Sequence, residues 1–202
     1  SPSSGKVIYL GEDISGRETS VLAGLGLIRT FQGTTLFHQL SLLDNVRLGC
    51  HRSAKANLVR RVFGGDRATE ETANEKARGI LEFFGLQPLA DELASNLPHG
   101  YQRALGMAVA LAADPKLMLL DEPFTGMNPE ETRRMAKLVR RLRDEQGVTV
   151  MLIEHDMQAV MGLCEIITVM NFGTRLAEGT PDEVRANPAV IEAYLGSAVD
   201  AA

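Results

Sequence analysis

Cysteine is scarce in this chain of 202 residues: Cys50 and Cys164 are the only two, far apart and in no ligand-like spacing. A disulfide scaffold is therefore not expected, and a reducing, cytosolic compartment is. No apolar run approaches the roughly 18 residues that a membrane-spanning helix needs, and no secretory signal pattern is recognised, so any membrane link is expected to come through a partner. Excess basic charge is missing too, since 21 Lys and Arg stand against 26 Asp and Glu, a formal net charge of -5. That balance argues against nucleic acid, whose phosphates require clustered cations. The short clusters Arg60-Arg61 and Arg140-Arg141-Arg143 read as solvated helix faces. A phosphate-binding loop of the form G-x-x-x-x-G-K-[ST] is absent. Gly5-Lys6 imitates its end, but the first Gly would precede Ser1 and Val7 has no hydroxyl.

What is present suits one compact unit with an inserted subdomain: 45% of the residues are hydrophobic and 23% charged, with no low-complexity tract. The organising stretch is Leu117-Met118-Leu119-Leu120-Asp121-Glu122-Pro123. Four consecutive apolar residues after Asp114-Pro115 predict a strand buried on both faces, as in a parallel sheet flanked by helices. Ligands of open α/β sheets bind outside the carboxyl ends of the strands, so Asp121 and Glu122 are candidates for chemistry, the alternative being that they cap the next turn. Val148 to Ile153 repeats the pattern, with Glu154-His155-Asp156 at its carboxyl end.

Further strands are expected at Gly5 to Leu10, closed by Gly11-Glu12-Asp13 as a turn, at Leu27 to Phe31 ending in Gln32, and at Ile166 to Met170. Gly24-Leu25-Gly26 reads as the end of a short helix. From Gly33 to Asp114 the pattern is helical. Helices are predicted over Asp44 to Cys50 and over Thr69 to Phe84, the latter burying Ala77, Ile80, Leu81 and Phe84; a mobile excursion over His51 to Arg67 separates them. A helix opening at Leu97 to Arg103 should bury a stripe of Leu105, Ala108, Val109 and Ala112. The free N-H groups at its start, with Gly100 there, could accept an anion. Pro129 to Gln146 has agreeing signals: Asn128 as N-cap, Pro129 first, Glu130 and Glu131 on the dipole, Gly147 past the end. The apolar stripe there is Met135, Leu138, Val139 and Leu142. Two β-α-β repeats imply a mainly parallel sheet. Thr180 onward should form short terminal helices, with Tyr194 and Leu195 packing back on the body.

Gln32, Asp121 with Glu122, and His155 thus converge at strand ends. Successive strand residues point to opposite sides, so Asp121 and Glu122 are not expected to flank one bond as a glycosidase pair does. Asp121 can hold magnesium while Glu122 polarises a water and His155 contacts a transferring phosphoryl group; a hydrogen-bonded structural histidine is the alternative. Zinc at Glu154, His155 and Asp156 is disfavoured, because three adjacent residues cannot all face one ion.

The order Thr30-Phe31-Gln32, Leu97 to Arg103, Leu117 to Pro123, Gly126-Met127-Asn128 and Glu154-His155-Asp156 resembles the Q-loop, signature, Walker B, D-loop and H-switch of the nucleotide-binding subunit of ATP-binding cassette (ABC) transporters. The closing run from Gly173 to Gly196 is similar to the branched-chain amino acid and urea uptake branch. The resemblance implies an α/β fold of the P-loop NTPase kind, N-terminally truncated, with residues 1–32 and 115–180 as nucleotide-binding core, 33–114 as helical signature subdomain and 181–202 as C-terminal helical extension. It implies ATP and Mg2+ as ligands, Gln32 and Asp121 at the magnesium, Glu122 as general base and His155 on the γ-phosphate. His99, Gly100, Tyr101, Gln102 and Asn128 would contact nucleotide, Gly100 and its helix facing ATP held by a second subunit.

The implied protein is an ATPase subunit of an importer for a small polar solute such as branched-chain amino acids. It would sit peripherally on the cytoplasmic face of the inner membrane, beneath integral permease subunits and indirectly served by a solute-binding protein. A groove near Gln32, Phe37 and Leu42 would receive a permease helix. A catalytically silent ABC-like module and a soluble non-transport ABC protein are the rival readings. The chain departs from the signature at Pro98, where the family has Ser, and at Tyr101, where it has Gln. The family's phosphate-loop strand would lie between Val148–Ile153 and Ile166–Met170, so a gap is expected there, together with inactivity of these residues alone.

Overall fold

The computed structural model describes residues 3–30, 36–50 and 66–199, by backbone alone for 66–69 and 194–199. At its centre three parallel strands lie in the order β3 (Leu27–Thr30), β4 (Leu117–Asp121), β5 (Thr149–Ile153). Their register pairs Leu27 with Leu117 and Leu117 with Thr149, so all three carboxyl ends reach the same edge. Before them, β1 (Ile8–Tyr9) and β2 (Glu12–Asp13) form a small antiparallel hairpin. The expected turn at Gly11-Glu12-Asp13 is thus displaced: the reversal falls on Leu10 and Gly11, both at positive φ, and Glu12 and Asp13 pair instead. Helix α1 (Thr19–Gly24) follows and ends where the glycine pair predicts.

Helices α2 (Leu42–Cys50), α3 (Asp66–Phe83) and α4 (His99–Ala112) pack together beside the sheet. Short 3-10 turns at Gln87–Leu89 and Ala94–Asn96 join the last two. Residue 49 has to be Gly for α2 to approach α4, since a Cβ there would come 2.5 Å from the Val109 carbonyl oxygen. Ala77, Ile80, Leu81 and Phe84 are buried as their spacing predicts. By contrast α4 exceeds its predicted stripe: Ala104, Met107, Ala110 and Leu111 are buried as well, Val109 only in part, because the sheet lies on one side of it and two helices on another. One core runs through both blocks, from Leu42, Leu81 and Leu105 to Met118, Leu120 and Leu142. The predicted excursion, including Arg60 and Arg61, falls outside the described residues except for its last two positions, which are the start of α3.

Helix α5 (Pro129–Gln146) has the predicted bounds. The Asn128 side chain accepts from the Glu130 and Glu131 amides, each at 3.0 Å, and the Glu131 carboxylate accepts from the Asn128 amide at 2.9 Å, a reciprocal cap. Gly147 at φ 65° ends it in the left-handed conformation. Its basic cluster is more than a solvated face. Arg141 stacks 4.3 Å over the Phe83 ring and donates to the Phe83 carbonyl, Arg140 donates to the Gly162 carbonyl, and Arg143 pairs with Glu165 at 3.0 Å. These long cations cover apolar surface with their stems and fasten α5 to its neighbours.

Helix α6 (Met157–Leu163) leads to β6 (Ile167–Asn171), which does not extend the parallel sheet. It pairs antiparallel with β7 (Thr174–Gly179), a strand the sequence patterns do not signal, and with α7 (Pro181–Ala186) and α8 (Pro188–Val199) it builds a second small core around Val160, Val169 and Val184. The packing expected of Tyr194 and Leu195 lies outside the described side chains. Between β5 and β6 lies a groove of about 830 Å³, lined by Met151, Ile153, Ile167 and Val169 among others, at the position of the expected gap. No helix among the described residues is long and apolar enough to cross a membrane.

Candidate functional site

The register of β4 and β5 pairs Asp121 with Ile153, which delivers Asp121-Glu122 and Glu154-His155 to one edge of the sheet. The ladder continues one step further, the Glu122 amide donating to the Ile153 carbonyl at 2.9 Å. There the backbone breaks sharply, because Glu122 sits at φ 45°, a left-handed conformation that costs a non-glycine residue of order 1 kcal/mol or more. Such strain is held by surrounding structure and is common where a side chain must be aimed. The two carboxylates diverge, as strand alternation predicts. Asp121 turns toward β3 and accepts from Arg29 at 2.6 Å, whereas Glu122 accepts from the Thr125 hydroxyl at 3.0 Å and lies 3.9 Å from His155 Nδ1.

His155 is largely exposed and stands equally near two carboxylates, with Glu154 also 3.9 Å from its Nδ1. Glu154 itself is enclosed, its side chain 1% exposed. Its carboxylate accepts from the Phe124 amide at 2.7 Å and from the His155 amide at 3.1 Å. Asp156 caps α6 through the Gln158 and Ala159 amides. The three adjacent residues therefore have three separate tasks. Among the described residues no group of three or more His, Cys, Asp or Glu is placed to hold a metal. Hard oxygens at the end of β4 nevertheless fit magnesium of the phosphate-borne kind, which takes one or two carboxylates and completes its shell from substrate and water. Asp121 is paired with Arg29 at 2.6 Å, so a metal there would share or displace that guanidinium.

The start of α4 forms a second cluster. Pro98 is its N-cap and provides no side-chain cap bond. His99 accepts from Arg103 Nε at 3.4 Å, Tyr101 is exposed, and the Gln102 amide donates inward to the Leu97 and Ala94 carbonyls at 3.0 and 3.4 Å. Gln102 thus ties the preceding turn. The start of α4 adjoins the loop that follows β4: a Cβ on Gly126 would lie 3.9 Å from the His99 ring, and one on Gly100 would lie 3.6 Å from Glu131. Residues 122–128 therefore run from the Glu122 cluster to the flank of Gly100.

Gln32 lies outside the described residues. Of the groove predicted near it, Phe37 is exposed but Leu42 is wholly buried, because Leu42 opens α2 facing the core, so Leu42 cannot line that surface. The sequence reading missed Arg29 and Asn45, and it named Glu154 without its role as partner of the Phe124 amide. Asn45, 1% exposed, accepts from the Phe37 amide and donates to the Phe37, Leu40 and Ser41 carbonyls, holding the 37–41 turn. A polar residue inside an apolar helical stripe was the available signal for it; for Glu154 the signal was a carboxylate directly following a buried run. Burial pushes the Cys50 and Cys164 thiols up, away from the thiolate form, which disfavours either as a nucleophile.

Comparison with known proteins adds independent findings. A family model described as ABC transporter matches residues 1–125, and one described as branched-chain amino acid ATP-binding cassette transporter matches residues 174–200. The chain is 38% identical to the high-affinity branched-chain amino acid transport ATP-binding protein LivG of Escherichia coli over 98% of this chain and 78% of the relative. It is 40% identical to BraF of Pseudomonas aeruginosa, described as the same kind of protein, with the same coverage. Among solved structures, the ADP conformation of MJ1267, an ATP-binding cassette of an ABC transporter, superposes with a TM-score of 0.80 at 30% identity, over 96% of this chain and 78% of that one. CbiO1 of Clostridium perfringens, part of an ABC transporter complex, gives 0.77 at 26% identity, over 95% and 72%.

Proposed function

The chain belongs to the ABC transporter family, and from that premise we propose that it is the ATP-hydrolysing subunit of an importer for branched-chain amino acids. Glu122 is the general base that takes a proton from the attacking water, and His155 is the contact to the γ-phosphate. Asp121 would hold magnesium, which when bound with ATP neutralises charge on the phosphates. The family resemblance assigns Gln32 to the magnesium and to the contact with the permease. The start of α4, with His99, Gly100 and Tyr101, meets ATP carried by a second subunit, and the loop through Asn128 borders that contact. Residues 33–114 act as the helical signature subdomain between core segments 1–32 and 115–180, and residues 181–202 as a C-terminal extension. The subunit works peripherally on the cytoplasmic face of the inner membrane.

One observation carries the catalytic part of this reading. Glu122 and His155 arrive on neighbouring parallel strands with 3.9 Å between their polar atoms, the Glu122 backbone being held in a strained turn. The test is Glu122→Gln in the full-length subunit. ATP binding is expected to stay within about twofold while turnover falls about 10²- to 10⁴-fold, the loss typical of a removed general base. Turnover within twofold of the parent rules the role out.

A further inference from the structure

Glu154 has the most enclosed ionisable side chain at the strand edge among the described residues. One of its oxygens accepts from the Phe124 amide in the turn after β4, and the other from the amide of His155, the next residue of its own segment, so the Phe124 bond is the one that ties the two segments. A carboxylate offers acceptors only, on both oxygens, so it can hold two N-H groups at once; a carboxamide of the same shape presents one acceptor and one donor, and leaves one of those amides facing an N-H. We infer that Glu154 is a positioning residue which makes the His155 backbone and the 123–128 loop move as one unit, so that His155 and the flank of Gly100 change position together.

The geometry has three consequences. The bond from the Phe124 amide, at 2.7 Å and part-buried, has the short length of the stronger class, whereas the 3.1 Å bond from the His155 amide is exposed. The loop that Glu154 grips begins with Glu122, whose carboxylate is braced by Thr125, so the grip also limits where the Glu122 side chain can swing. Lastly, the His155 imidazole is largely exposed, so its position follows the backbone that Glu154 ties to the Phe124 turn. The group acts through other residues and touches no substrate itself.

This inference rests on the reading of Glu122 and His155 given above, and the experiment separates the two. Glu154→Gln, His155→Ala and the double substitution are compared in the full-length subunit. Glu154→Gln is expected to lower kcat about 10- to 100-fold with KM for ATP within about twofold, the range that ångström-scale misplacement produces. In the His155→Ala background it should lower kcat by less than about twofold further, because groups acting through one another are non-additive. An equal loss in both backgrounds, or a Glu154→Gln rate within twofold of the parent while His155→Ala is impaired, overturns the inference alone. A His155→Ala rate equal to the parent overturns the reading of His155 and this inference with it. Should Glu154→Gln fail to fold, amide exchange in the unsubstituted subunit decides: Phe124 and His155 protected and released together support the coupling, and release of one without the other refutes it.

Discussion

β4 and β5 are adjacent strands of five residues each, both rich in Leu, Met and other apolar side chains, yet they live in opposite surroundings. Met118 and Leu120 of β4 are buried between strands on both edges and helices on the faces, at 0% and 1% exposure, whereas Met151 and Ile153 of β5 are each 60% exposed beside the groove. Stability is therefore concentrated on one strand, and the candidate chemistry on the seam between the two. Each strand contributes an acidic residue and a neighbour to that seam, but the rigid member supplies Asp121 and Glu122 while the open-edged member supplies Glu154 and His155.

The largest effect that can test this contrast is Leu120→Ala. The side chain is fully enclosed, so its loss should cost about 2 to 5 kcal/mol in denaturant unfolding. A cost below about 1 kcal/mol would mean that β4 is not the packed member. Met151→Thr on β5 should change stability by less than about 0.5 kcal/mol. In residues 1–202 taken alone, Ile153→Lys should reduce aggregation in light-scattering measurements, since a charge blunts an open apolar edge. If either costs as much as Leu120→Ala, something covers the groove and the comparison is wrong. The smallest effect lies beyond the groove, in the small core that β6 joins. The Thr180 amide donates to Glu183 at 2.7 Å and holds that carboxyl below its ordinary value of 4.5. A depressed folded value means that the cap's contribution is present above pH 4.5 and is lost as pH falls through the lowered folded value. Amides of α7 should loosen first on acidification, ahead of β4, and Glu183→Gln should remove that pH dependence.

Much of the site was legible from residue order. The strand ends carrying Asp121, Glu122 and His155 could be read because a buried run followed by polar residues is a local pattern, and the bounds of α5 because caps are local chemistry: Asn128, Pro129 and Gly147 act within a turn of where they stand. Glu154 and Arg29 were not legible as partners. Their bonds, to Phe124 and Asp121, span 30 and 92 positions in sequence, and no periodicity encodes such a distance. β7 escaped because an exposed antiparallel strand with Arg, Glu and Gly in it looks like a loop until β6 lies beside it.

By itself, then, the sequence determined the three central strands, the main helices with their caps, and which family the motif order resembles, since propensity, capping and motif spacing all operate within a few residues. Only the tertiary structure decided that β6 turns away to pair with β7, that equal apolar runs become a buried β4 and an exposed β5, and that Glu154 meets the Phe124 amide 30 positions away. Those outcomes depend on which neighbour arrives at each face and edge, and burial and hydrogen-bond partners are properties of the assembled neighbourhood that a run of residues does not contain.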